Sequence, residues 1–135
     1  MDIFVFVSEQ WVLVSVLMGL IYIYAWREKT KSGATLSIHG VTQLLNREEA
    51  ILLDVRDQAE FNEGHIVDAI NISHGSLKDR LKELEKHKAK TIVVADKMGQ
   101  HAGAAGRLLG DAGFTVSRLQ GGMSEWANQN LPLVK

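Results

Sequence analysis

The chemistry open to this chain is bounded first by what it lacks. None of its 135 residues is a cysteine. That removes disulfides, thiolate zinc sites, iron–sulfur clusters and every mechanism that begins with a cysteine nucleophile. Five histidines are present, but His39, His74 and His87 show no ligand spacing among themselves or with carboxylates, and His101 alone makes no metal site. No metal and no cofactor is expected. The reactive residue types gather where apolar runs end. Asp54 and Arg56 close the run over residues 51–55, and Asp96-Lys97-Met98-Gly99-Gln100-His101 follows the run Thr91–Ala95. A carboxylate and a guanidinium two residues apart at a strand end are read as an ion pair that holds a turn, not as a catalytic pair. Fifteen Lys and Arg against sixteen Asp and Glu leave a formal net charge of −1. That balance argues against a nucleic-acid partner, which would call for a basic excess.

Positioning these residues requires a scaffold, and the hydrophobic periodicity supplies one. Val41, Leu44 and Leu45 predict a short amphipathic helix over residues 40–47. Residues 51–55 read as a buried strand. Leu77, Leu81 and Leu84 put one apolar face on a helix over residues 75–90, whose charges are a solvated face. The β-branched run Thr91–Ala95 is the clearest strand. Residues 102–112 are small and helix-forming, with Gly113 at the position that ends a helix in the left-handed conformation. A third strand over residues 114–119 and a last helix over Gly122–Asn128 complete the series, with Trp126 in the core. Strands alternating with helices indicate a parallel sheet covered on both faces.

Ahead of this domain the composition changes. From Ile3 to Trp26 the only acidic or basic side chain is Glu9, and residues 11–26 carry no formal charge. At 1.5 Å per residue the inner run spans about 24 Å and residues 3–26 about 36 Å, bracketing a hydrocarbon core of about 30 Å. A single membrane-spanning helix over residues 3–26 is expected, with Tyr22, Tyr24 and Trp26 as an aromatic belt. A cleaved signal peptide would want a basic start and a small-x-small cleavage site, and neither is present. Arg27, Lys29 and Lys31 follow the run and nothing basic precedes it, which places the C-terminal side in the cytoplasm and the N-terminus outside. Ser15 and Gly19 form a small-xxx-small pair that would let another helix approach. Residues 27–34 are read as a polar linker and residues 35–135 as the soluble domain.

Motifs in the soluble part resemble those of a known family. Leu53-Asp54-Val55-Arg56, then Glu60-Phe61, Gly64-His65-Ile66 and Asp68-Ala69-Ile70-Asn71-Ile72 resemble the opening half of a rhodanese domain, and Gly121-Gly122-Met123 with Trp126 and Pro132 looks like its closing signature. Glu83-Leu84-Glu85-Lys86-His87-Lys88 and the ending Asn130-Leu131-Pro132-Leu133-Val134 are especially similar to the type in which one membrane helix precedes one such domain. The resemblance implies an α/β fold, a three-layer rhodanese-like domain with a central parallel sheet behind one N-terminal transmembrane helix. It also implies that His65 is a packing histidine.

The departure from the family carries the functional expectation. In active members, the strand corresponding to Thr91–Ala95 ends in a cysteine whose persulfide is stabilised by the N–H groups of a tight loop. Here Asp96 stands in that place, Gly99 matches the loop glycine, and His101 and Ala102 replace an Arg and a Ser often found in active loops. Asp96 would accept several charge-assisted hydrogen bonds and fill the anion site with the protein's own charge, which also disfavours a receptor for small anions. A contact residue at the loop rim and an aspartyl nucleophile are the alternatives, the latter with Lys97 and Asp54 as helpers and a metal or cationic clamp. The leading expectation is an inactive binding or scaffold module at the cytoplasmic face of an inner membrane. Its partners would be the bilayer, through residues 3–26, and another membrane or membrane-associated protein. The alternative is an enzyme of altered chemistry, such as metal-assisted phosphoryl transfer through Asp96.

Overall fold

The computed structural model describes residues 2–31 and 33–135, the side chains of residues 28–31 excepted. It divides into two units, residues 1–30 and 31–135.

The first unit holds two helices, α1 (Ile3–Glu9) and α2 (Trp11–Lys31). Asp2 caps α1, its carboxylate accepting the Phe4 N–H at 3.0 Å. The single helix expected over residues 3–26 is therefore interrupted, because the chain bends by 88° between α1 and α2. At the break Ser8 donates its hydroxyl to the Val5 carbonyl at 2.9 Å, and Gln10 leaves the helical region with φ −113° and ψ 27°. Among the described residues no single helix is long and apolar enough to cross a membrane, whereas α1 taken with α2 as far as Arg27 meets that length and composition across the bend. Ser15 and Gly19 lie exposed on α2, and a side chain at Gly19 would meet nothing within 4 Å. The side chains of Lys29 and Lys31, expected as a cationic flank, lie outside the described residues. So does Ser32 of the expected linker. The remainder of residues 27–34 is largely not linker: α2 continues through Lys31 and β1 starts at Ala34. Arg, Glu and Lys are good helix formers, so a polar stretch need not end a helix.

The second unit is built on five strands in the order β1-β5-β4-β2-β3, every pair parallel. These are β1 (Ala34–Leu36), β2 (Ala50–Asp54), β3 (Ile70–Asn71), β4 (Thr91–Ala95) and β5 (Val116–Leu119). Between them run α3 (Ile38–Asn46), α4 (Gln58–Glu63), a 3-10 helix (Leu77–His87) and α5 (Ala102–Asp111), and α6 (Gly122–Asn128) follows β5. Side chains alternate across a strand, so the sheet has two packed faces. Ile92 and Val94 of β4 join Leu53, Leu77, Leu84 and Leu109 on one face. Val93 and Ala95 join Leu52, Val41, Met123 and Trp126 on the other. Trp126 is buried and donates its indole N–H to the Pro132 carbonyl at 3.2 Å.

The helix expected over residues 75–90 is instead a 3-10 helix with a break at Arg80, where φ is −114° and ψ 15°. Leu77 and Leu84 are fully buried as their spacing requires. That spacing sets the buried face but not the pitch, and the break resets the phase. The short elements β1, α4 and β3 carry too few residues to show a period, and none was expected.

His87 ends the 3-10 helix, half-buried. Burial pushes its pKa below the ordinary value near 6.5, and the charges of Lys86 and Lys90 push the same way. The unfolded chain therefore binds this proton more tightly than the folded one, so protonation costs stability as pH falls through the ordinary histidine range. His87→Gln should lose less stability than the unaltered chain between about pH 7 and about pH 5, measured as a smaller fall in the urea midpoint of the full chain in detergent micelles.

Candidate functional site

The C-terminal ends of parallel strands converge on one edge, and the residues singled out by type lie there. β4 delivers Asp96 at 3% exposure, beside β2, whose Asp54 pairs in register with Ala95. The chain then turns through Lys97, Met98, Gly99 and Gln100 to His101, the N-cap residue of α5. The His101 N–H donates to the Asp96 carboxylate at 2.7 Å. Several such donors were expected. Among the described residues this is the one that reaches it.

Two backbone carbonyls at the start of the loop meet α6. The Asp96 carbonyl accepts the Met123 N–H at 2.7 Å and the Lys97 carbonyl accepts the Ser124 N–H at 2.8 Å. The first amides of a helix have no acceptor of their own, so the loop backbone satisfies them. The approach is close enough to demand glycine. A Cβ at Gly122, where φ is +62°, would stand 2.3 Å from the Asp96 carbonyl oxygen and 2.8 Å from that of Lys97. Gly121 precedes it at φ +74°. The Gly121-Gly122-Met123 signature is thus the seat of the loop.

Asp54 is fully buried and engaged on both oxygens. Arg56 Nε reaches them at 2.9 and 3.0 Å, Nη2 adds a contact at 2.6 Å, and the Arg56 N–H donates at 3.0 Å. Arg56 Nη2 also donates to the Gly64 carbonyl at 2.9 Å, and Asn71 Nδ2 donates to the carbonyls of Asp54 and Arg56 at 3.0 Å each. This cage ties the turn after β2 to the segments around Gly64 and β3, leaving Asp54 no spare oxygen with which to assist Asp96. His65 is a packing residue: its ring stacks on Phe61 at 3.8 Å, Nδ1 donates to the Phe61 carbonyl at 2.9 Å, and its backbone pairs with Val134. Among the described residues no group of three His, Asp or Glu side chains could hold a metal ion.

One feature of the rim was not legible. His74, whose N–H bonds to the Val55 carbonyl at 3.1 Å, stacks its ring on His101 with centroids 3.8 Å apart. The two residues are far apart in sequence, and only the adjacency of β2 and β4 joins them. With Lys97 and Gln100, and Met98 at 63% exposure, they form the accessible border of a site whose centre is closed by a buried carboxylate.

Two sets of substitutions probe this geometry. Gly122→Ala should cost about 2–4 kcal/mol, through the left-handed backbone and the collision with the loop carbonyls together. Gly99→Ala should cost only the conformational part, about 1–2 kcal/mol: Gly99 has φ +92° but nothing within 4 Å of a Cβ. Arg56→Met should cost about 3–5 kcal/mol by stranding a buried charge, and adding Asp54→Asn should recover part of it, as coupled partners do. Urea unfolding of the full chain in micelles reads all four.

The description "Rhodanese-like domain" matches residues 37–129, from the Ser37 cap of α3 through α6 and its C-cap residue. The uncharacterized protein YibN of Escherichia coli K12 is 33% identical over 121 residues, covering 88% of this chain and 85% of that one. A protein of Allochromatium vinosum named Sulfurtransferase is 30% identical over 93 residues, covering 68% and 85%. Among solved structures, a rhodanese-related protein of Thermoplasma volcanium superposes with a TM-score of 0.69 at 26% identity, over 75% of this chain and 97% of that one. The motifs, the parallel five-stranded sheet and these likenesses agree, and the chain belongs to the rhodanese-like domain family.

Proposed function

We propose that this is a rhodanese-like domain without sulfurtransferase chemistry, held at the cytoplasmic face of an inner membrane by its apolar helices and acting there as a protein-binding or scaffold module. The observation that carries the reading is Asp96: a buried carboxylate, bonded to the His101 N–H, at the strand end where the family's resemblance places a persulfide-forming cysteine. With no cysteine in the chain there is no thiolate to carry transferred sulfur. The buried charge also repels anions from the loop that would receive them. What the site offers instead is its rim, where an exposed Met98 stands among polar neighbours. Exposed loops on a rigid scaffold are common recognition surfaces, and an unbranched thioether adapts to varied apolar partners. Confinement to a membrane raises effective concentration, so a modest contact suffices. The basic residues that follow the apolar segment support the cytoplasmic placement.

Two measurements test this. The full chain should show no thiosulfate-to-cyanide sulfur transfer above the uncatalysed rate, and Asp96→Asn should leave that result unchanged. A photo-crosslinking amino acid replacing Met98 should give a discrete adduct in intact membranes, retained when residues 3–26 are exchanged for an unrelated spanning helix. Sulfur transfer by the purified chain, or the absence of any discrete adduct, overturns the reading. An adduct lost on the exchange moves recognition from the rim to the helix.

A further inference from the structure

The corner between α1 and α2 leaves part of its backbone unsatisfied from within. Gln10 closes α1 with its N–H on the Phe6 carbonyl at 2.9 Å, and its own carbonyl takes the first bond of α2, from the Val14 N–H at 3.0 Å. Among the described residues no acceptor takes the N–H groups of Trp11, Val12 or Leu13. Hydrocarbon offers such groups nothing, whereas water and lipid headgroups supply acceptors. The polar side chains of Ser8, Glu9 and Gln10 gather at the same corner, and Trp11, of the residue type that favours membrane boundaries, follows directly. Beyond the corner, α1 presents Ile3, Phe4, Val5, Phe6 and Val7, all exposed, at 88° to α2.

We propose that this corner marks the lipid–water boundary, that α2 enters the bilayer from it, and that α1 lies along the membrane surface with its aromatic and branched side chains at the headgroup–acyl junction. The inference rests on the membrane reading given above. The occupant of α1 is the lipid boundary itself, and a neutral one suffices. The segment carries Asp2 and Glu9 and no basic residue, so its affinity comes from apolar burial and not from attraction to anionic lipid. The crossing then falls to α2, which over its described residues is by itself short of a full span: its uncharged run over residues 11–26 measures about 24 Å against a hydrocarbon core of about 30 Å. Local thinning of the bilayer absorbs a shortfall of this size.

The chain's lack of cysteine makes the test direct. Single substitutions Phe4→Cys, Val5→Cys, Phe6→Cys and Val7→Cys ahead of the corner, and Val12→Cys, Leu13→Cys, Val16→Cys and Leu17→Cys behind it, are each spin-labelled. The full chain is reconstituted in palmitoyl-oleoyl phosphatidylcholine vesicles, and label depth is read from collisions with oxygen and with a water-soluble nickel chelate. Behind the corner, depth should grow by about 1.5 Å per residue. Ahead of it, depth should stay at the boundary and vary only with helical period. One unbroken slope from Phe4 to Leu17 overturns the surface placement and leaves the membrane reading standing, as does full water exposure of the labels ahead of the corner. Labels behind the corner that the nickel chelate reaches freely overturn both.

Discussion

Two backbone hydrogen bonds hold together the C-terminal edge of the sheet in this domain: Met123 N–H to the Asp96 carbonyl and Ser124 N–H to the Lys97 carbonyl. A chain leaving a buried strand carries carbonyls that need donors, and a helix beginning nearby carries amides that need acceptors. Here each satisfies the other. The bond pair locks the loop after β4 to the helix after β5, so the path of Asp96 through His101 is set by α6 as much as by its own residues. The arrangement tolerates no side chain at Gly122, because the space of a Cβ is occupied by carbonyl oxygen.

These two carbonyls tie the start of the loop to the last helix. The loop's carboxylate takes the His101 N–H, and the neighbouring carboxylate, Asp54, is consumed by Arg56. Both buried acids are thus spent on holding turns. What remains accessible at this edge is the Met98 tip and the stacked His74 and His101 rings.

The first unit obeys a different constraint. Over residues 11–26 α2 carries no charged side chain, and nearly all of these residues are exposed. A stretch apolar all round is the composition of a helix buried in a protein core or in a bilayer. At the corner, no acceptor among the described residues takes the first N–H groups of α2.

Much of this was legible in the sequence because the relevant signals are local or compositional. Absence of cysteine is a count. The buried run Thr91–Ala95, the closing helix Gly122–Asn128 and the ion pair of Asp54 with Arg56 follow from side-chain type and short spacing, and the observed elements agree with them. The motif order carried the family. What the sequence did not disclose depended on partners distant along the chain or on the choice between nearly equal backbone states. The Leu77, Leu81 and Leu84 spacing fits an α-helix and a broken 3-10 helix alike, and the apolar run over residues 3–26 does not show the bend at Gln10. The stacking of His74 on His101 required β2 and β4 to be neighbours. The seat that α6 makes for Asp96 and Lys97 required the last helix to return beside the middle strand. The sequence by itself determined which reactions are chemically open and which faces are buried, because those depend on what each residue is. Only the tertiary structure decided which distant residues meet, because the bonds that seat the loop on α6 are made by backbone atoms that every residue shares.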